Sequence, residues 1–184
     1  ALTKVLGFAS LANTQVPIGL IGRARSVTKE LFTHPGEVLR RWETPNNGRA
    51  TGYTPFQQEH SRDTPVDQGD LKEFWHVRGP GQPWSNLFPD DLIPAFGPTM
   101  LDLYGHLEQF ASELLLCLEE YLDLPHGTLS EMIVGGNTLL RVLNDNHAGT
   151  VAYAVGHRPH GLEWTRPFAG TQTYASAHTF LVPR

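Results

Sequence analysis

Nine histidines are the unusual titratable resource of this 184-residue chain, and their spacing decides what they could do. In Asp145-Asn146-His147 a carboxylate and an imidazole stand two residues apart at the end of a strand-like run. Residues at that spacing on a strand share a face. The pair could therefore hold a divalent metal with a third ligand such as His157. The same residues also make an ordinary polar turn, which is the commoner use of Asp-Asn. His157-Arg158-Pro159-His160 places two imidazoles three apart, but Pro159 rules out a regular helix there, and on a strand or turn the rings diverge. His60, in Gln58-Glu59-His60, and His76, in Trp75-His76, lie among aromatics such as Tyr53. They are candidates for lining a substrate pocket, and equally for hydrogen-bonded structural histidines. Cys117 falls in a helical pattern and reads as a small buried hydrophobe. The chain has no glycine-rich phosphate loop, nucleophile elbow or zinc CxxC pair.

The elements that must position these residues are legible from periodicity. Val5 to Ala12 is short and apolar and reads as a buried strand. Pro17 starts a helix whose stripe (Ile18, Ile21, Ala24, Thr28, Leu31, Phe32) runs to His34. Pro35 to Trp42 fits one further short helix. Gly52 to Phe56 is aromatic but broken by Pro55, so it is an extended loop or an edge strand. Leu71 to Val77 is strand-like, and the proline-rich stretch from Arg78 to Pro98 is a surface run. The spacing predicts a long helix over 99–124, with apolar residues at three- and four-residue steps from Met100 to Leu122. A short helix over 128–134 follows the Leu124-Pro125 break. Three strands then close the chain, near 138–143, 150–155 and 173–182. Helices in the first two thirds and strands in the last third predict an α+β fold.

Composition narrows the function classes. The net charge is −5 and the 14 Lys and Arg are scattered, which excludes a broad nucleic-acid footprint. No apolar run reaches the ~20 residues of a membrane helix. One cysteine excludes a disulfide framework and points to a reducing, cytoplasmic setting. The N-terminal residues lack a signal-peptide pattern, and the absence of an initiator Met fits a processed or incomplete chain.

Several segments in order resemble the isopenicillin N synthase-like family of iron-dependent, usually 2-oxoglutarate-dependent, oxygenases. Leu6 to Asn13 with Val16-Pro17 is similar to its early "GFF-x-x-x-NHG-x-P" strand. Arg49 to Phe56 with Glu59-His60 resembles a bacterial "RGYTPF...EH" loop, and Asp70 to Val77 a "DLKEFWHVG" segment. Pro83 to Asp90 resembles a "PN-x-WP" run. Gly135-Gly136-Asn137-Thr138-Leu139-Leu140-Arg141 fits the family's "GGNSLLR" strand entry. His147 to Gly156 looks like the later "PGTLVVNVGD" strand, His157-Arg158-Pro159 like the "HRV" that carries a metal histidine, and Tyr174 to Arg184 like "RYSLPFFLHPR".

The resemblance implies a double-stranded β-helix (jelly roll) with N-terminal helices and a long supporting helix, in a single domain over 1–184. Residues 1–134 would be mainly helical and loop, and 135–184 barrel strands. It implies iron(II) and 2-oxoglutarate as cofactors and oxidation of a small-molecule substrate: hydroxylation, desaturation or oxidative cyclisation. The metal candidates are His157, Asp145 and His147. Tyr174 stands where the "RxS" arginine would bind 2-oxoglutarate, and Ser176 keeps the serine. His60, His76 and Tyr53 are the substrate-binding candidates. The chain contains no His-x-Asp pair. A metal-free relative therefore stands as the alternative, taking no cofactor and acting as a small-molecule binding module, a cyclase or isomerase, or an oligomeric scaffold. A shortened barrel would leave strand edges that favour a homodimer. No nucleic-acid or membrane partner is implied.

Overall fold

A computed structural model describes residues 11, 14–59, 72–134, 136–145, 150–156 and 176–181; for 145, 150–156 and 176–181 it describes the backbone alone. The elements are α1 (Ile18–Leu31), α2 (Gly36–Leu39) running into a 3₁₀ turn at Arg40–Trp42, a second 3₁₀ turn at Pro45–Asn47, β1 (Gly52–Thr54) and β2 (Lys72–Arg78). They continue with α3 (Phe96–Tyr121), α4 (Ser130–Ile133), β3 (Leu139–Asp145), β4 (Thr150–Gly156) and β5 (Ser176–Leu181). The expected α+β class holds. The five strands form one sheet in the order β1-β2-β3-β4-β5, each antiparallel to its neighbour. The early strand expected over Val5–Ala12 lies outside the described residues except for Leu11.

Strand alternation sorts the sheet into two faces. Tyr53, Trp75, Val77, Leu140 and Val142 point one way and are fully buried. They join one core with Leu20, Ala24, Val27 and Leu31 of α1 and Phe96, Met100, Leu103, Tyr104 and Leu107 of α3. Trp75 is its hub. Its ring meets Phe96 edge-on at 5.4 Å, lies 6.0 Å from Trp42 and 6.3 Å from Tyr53, and its indole N–H donates to the Leu87 carbonyl at 3.2 Å. The opposite face carries Thr54, Phe74, His76, Arg78 and Arg141.

The long helix begins at Phe96, three residues before the predicted start, because Pro98 is accommodated in the first turn, where its missing N–H has no intrahelical partner to lose. Its buried stripe runs from Phe96 to Ala111 and then lapses, with Glu119 the one buried residue beyond. Tyr121 and Leu122 are exposed. Cys117 corrects the reading of a buried hydrophobe: it sits on this overhanging part and is exposed.

Glu119 is buried for a different reason. Its carboxylate accepts from the backbone N–H groups of Gly127 (2.8 Å), Leu129 (2.7 Å) and Ser130 (2.7 Å), and from the Ser130 hydroxyl at 3.1 Å. A single side chain thus ties the end of α3 to the turn that leads into α4 and β3. These bonds, led by that of the Ser130 N–H, hold the carboxyl down at about 2.

Candidate functional site

The face of the sheet turned away from α1 and α3 is polar at its centre. His76 of β2 pairs in register with Arg141 of β3 and Gly52 of β1. Its ring is buried. Nδ1 lies 2.8 Å from the carbonyl of Arg49, and Nε2 accepts from Nε of Arg141 at 2.8 Å. Those partners fix the tautomer: the proton is on Nδ1 and the lone pair on Nε2. Burial, with the Arg141 charge next, pulls the imidazole down to about 3, so the ring is neutral across the physiological range. The Arg49 carbonyl reaches it because Arg49 takes the left-handed conformation at φ 56°, which non-glycine residues rarely adopt and which recurs at functional sites.

Sequence reasoning misses Arg141, yet it is the most constrained charge on this face. Its guanidinium stacks 4.2 Å over the Phe74 ring. Its two terminal nitrogens meet the two oxygens of Glu59 at 3.0 and 2.9 Å, a fork-to-carboxylate pairing. Lys72 Nζ reaches the same carboxylate at 2.9 Å. The available signal is a charged residue inside the apolar run Leu139-Leu140-Arg141-Val142-Leu143, where a strand-borne charge must find a buried partner.

Arg78 closes the neighbouring end of the face. Its Nε donates to the Ala50 carbonyl at 2.7 Å, its Nη1 to the Asn137 side chain and to the Thr138 carbonyl at 3.3 Å, and its guanidinium lies 4.9 Å from the Trp84 ring. Its backbone N–H and C=O are both bound by the Asn86 amide at 2.8 Å. The chain around 48–51, the run after β2 and the entry to β3 are thereby tied together.

The other candidates separate. Tyr53 and His76 do not come together: Tyr53 points to the helix-packed face, where its hydroxyl donates to Glu73 at 2.5 Å and Asn144 donates to the other Glu73 oxygen at 2.8 Å. His60, His147, His157 and Tyr174 lie outside the described residues, and of Ser176 and Asp145 the backbone alone is described. Ser176 begins β5, opposite Gly156. Asp145 pairs with Thr150 at one end of the β3–β4 hairpin, and Gly156 pairs with Leu139 at the other. Six strand steps separate those ends, about 20 Å. Among the described residues no group of three or more His, Cys, Asp and Glu could hold a metal ion.

Residues 2–95 match the family profile described as the N-terminal part of non-haem dioxygenases in morphine synthesis. The chain belongs to this family. The proline hydroxylase buaE of Petromyces alliaceus is 29% identical over 160 residues, covering 83% of this chain and 48% of the relative. A solved 2OG-Fe(II) oxygenase family protein from Caulobacter crescentus is 29% identical with a TM-score of 0.58, covering 70% of this chain and 44% of that one. A full-length Neurospora crassa protein, solved in complex with alpha-KG, shares the fold at 18% identity and a TM-score of 0.58, over 77% of this chain and 49% of its own. The chain spans about half the length of these relatives. The family expected from the sequence motifs is borne out. Among the described residues no helix is long and apolar enough to cross a membrane.

Proposed function

We infer that this chain provides the helical support and leading barrel strands of an iron(II)- and 2-oxoglutarate-dependent oxygenase that acts on a small molecule. The observation that carries this reading is the buried polar face of β2 and β3. A neutral histidine and a stacked arginine occupy the side of the sheet that the helices leave uncovered, where a jelly roll places its interior. Family membership supports the cofactors. One relative is named a proline hydroxylase, and the Neurospora crassa structure holds alpha-KG. When bound, iron would supply oxygen activation. The work of this chain's own residues is different. α3 backs the sheet, Trp75 fixes its position on the helices, and His76 and Arg141 present an ordered charge to whatever enters. Ligands for iron would come from residues beyond the described set.

The test is turnover and metal content together. The full chain is incubated anaerobically with iron(II) and 2-oxoglutarate, oxygen is admitted, and succinate is quantified across a panel of amino acids and nucleobases. The reading expects about one iron per chain and substrate-dependent succinate. A chain that takes up no iron under these conditions overturns it.

A further inference from the structure

Arg141 and Lys72 converge on one carboxylate, and that carboxylate belongs to the protein. Glu59 lies in the connection between β1 and β2, far from Arg141 in sequence. Its side chain is 22% exposed, against 13% for Arg141. Arg141 is the more enclosed and the more extensively held of that pair. Arg141 is fixed by the Phe74 ring below it and by His76 at Nε, and His76 is fixed in turn by the Arg49 carbonyl. The two nitrogens that hold Glu59 are those that would grip any planar carboxylate.

We propose that the Arg141–Lys72 fork is a carboxylate-binding subsite of the pocket, and that Glu59 is its internal, displaceable occupant. Resting on the oxygenase reading for its place in a pocket, this assigns the ligand a class: a small organic acid whose carboxylate replaces Glu59. That carboxylate belongs either to the substrate or to 2-oxoglutarate, and the two share the same chemistry at the fork.

The experiment follows the Arg141 Nε–H resonance by NMR, which needs neither iron nor turnover and so can fail or succeed independently of the oxygenase reading. The wild-type chain and Glu59→Gln are titrated with 2-oxoglutarate, with a panel of L-amino acids, and with the corresponding amino-acid amides. Free acids should move the resonance and amides should not. Glu59→Gln should bind the same acid about tenfold more tightly, because the competing internal carboxylate is gone. A response to amino acids that persists in saturating 2-oxoglutarate assigns the subsite to the substrate, and a response to 2-oxoglutarate alone assigns it to the cosubstrate. Arg141→Lys, which keeps the charge but loses the fork, should weaken binding of the acid. If no acid moves the resonance in either protein, or if Glu59→Gln binds acids no better than wild type, Glu59 is a structural partner only and the proposal is overturned.

Discussion

His76 accepts from Arg141 through Nε2 and donates to the Arg49 carbonyl through Nδ1, so one neutral ring couples a strained loop to the partly buried charge of β3. The coupling works only while the ring is unprotonated. Its folded-state value, about 3, lies below the ordinary 6.5 of an exposed histidine. The unfolded chain therefore binds the extra proton first as the solution is acidified. The stability from this group is complete above about pH 6.5 and drains away as pH falls from there toward 3. In His76→Gln this part of the acid dependence should vanish, and the remaining curve should be flatter between pH 6.5 and 4 when followed by denaturant unfolding. Direct NMR titration of the His76 ring should show no midpoint between pH 5 and 8. A midpoint near 6.5 would mean the ring is open to water.

Tyr53 sits on the other side of the same sheet and should behave as a structural residue. Its hydroxyl binds Glu73 in the core, and burial pushes the phenol well above its usual range. Tyr53→Phe deprives a buried carboxylate of one donor, an omission that costs about 1–3 kcal/mol. Denaturant midpoints should report that loss, while the Arg141 Nε–H resonance on the opposite face stays in place. Movement of that resonance in the variant would place Tyr53 in the pocket after all.

These two residues also show where sequence reading succeeds and where it stops. The strand over Lys72–Arg78 and the long amphipathic helix announce themselves through period, and Trp75, Met100, Leu103 and Leu107 fall in the core as period requires. Period gives alternation but not its sign. Tyr53 and His76 group together in sequence because both are aromatic and close to strands, and only the antiparallel register sends one to the helices and the other away. Arg141 is hidden because its partners, Glu59 and His76, lie 82 and 65 residues away. Long-range pairing of this kind leaves no local pattern. The metal candidates Asp145, His147 and His157 are a different case, because their side chains lie outside the described residues.

Glu119 gives a second acid-sensitive element, with the same direction and a different cause. The bonds from the 127–130 backbone hold its carboxyl near 2, below the ordinary 4.5. A depressed carboxylate contributes fully above its unfolded value, and its contribution is lost as pH falls from about 4.5 toward 2. Glu119→Gln leaves one acceptor oxygen where two are needed and removes the negative charge from a cluster of N–H groups. It should lower the melting temperature at pH 7. The difference between variant and wild type should narrow below pH 4.5, where the wild-type carboxyl begins to protonate in the unfolded chain. A melting temperature unchanged at pH 7 would show that the α3–α4 corner does not depend on this carboxylate.

Gly52 provides the sharpest backbone test, because the strand position opposite His76 tolerates no side chain. Its φ is +75°, and a Cβ there would collide with the backbone carbonyl of Trp42, which cannot give way as a flexible side chain could. Gly81 makes the control: its φ is +82°, but its Cβ would meet only open space. Gly81→Ala therefore carries the conformational penalty alone, about 1 kcal/mol. Gly52→Ala carries that penalty plus a displacement of β1 from the 3₁₀ turn that holds Trp42. It should lose several times as much stability as Gly81→Ala. Since Gly52 is the register partner of His76, the shift should also reach the polar face and broaden the Arg141 Nε–H resonance in whatever fraction stays folded, while Gly81→Ala leaves it sharp. Equal losses for the two variants would mean that β1 can slide without disturbing β2, and that the His76–Arg141 pair is held by β3 alone.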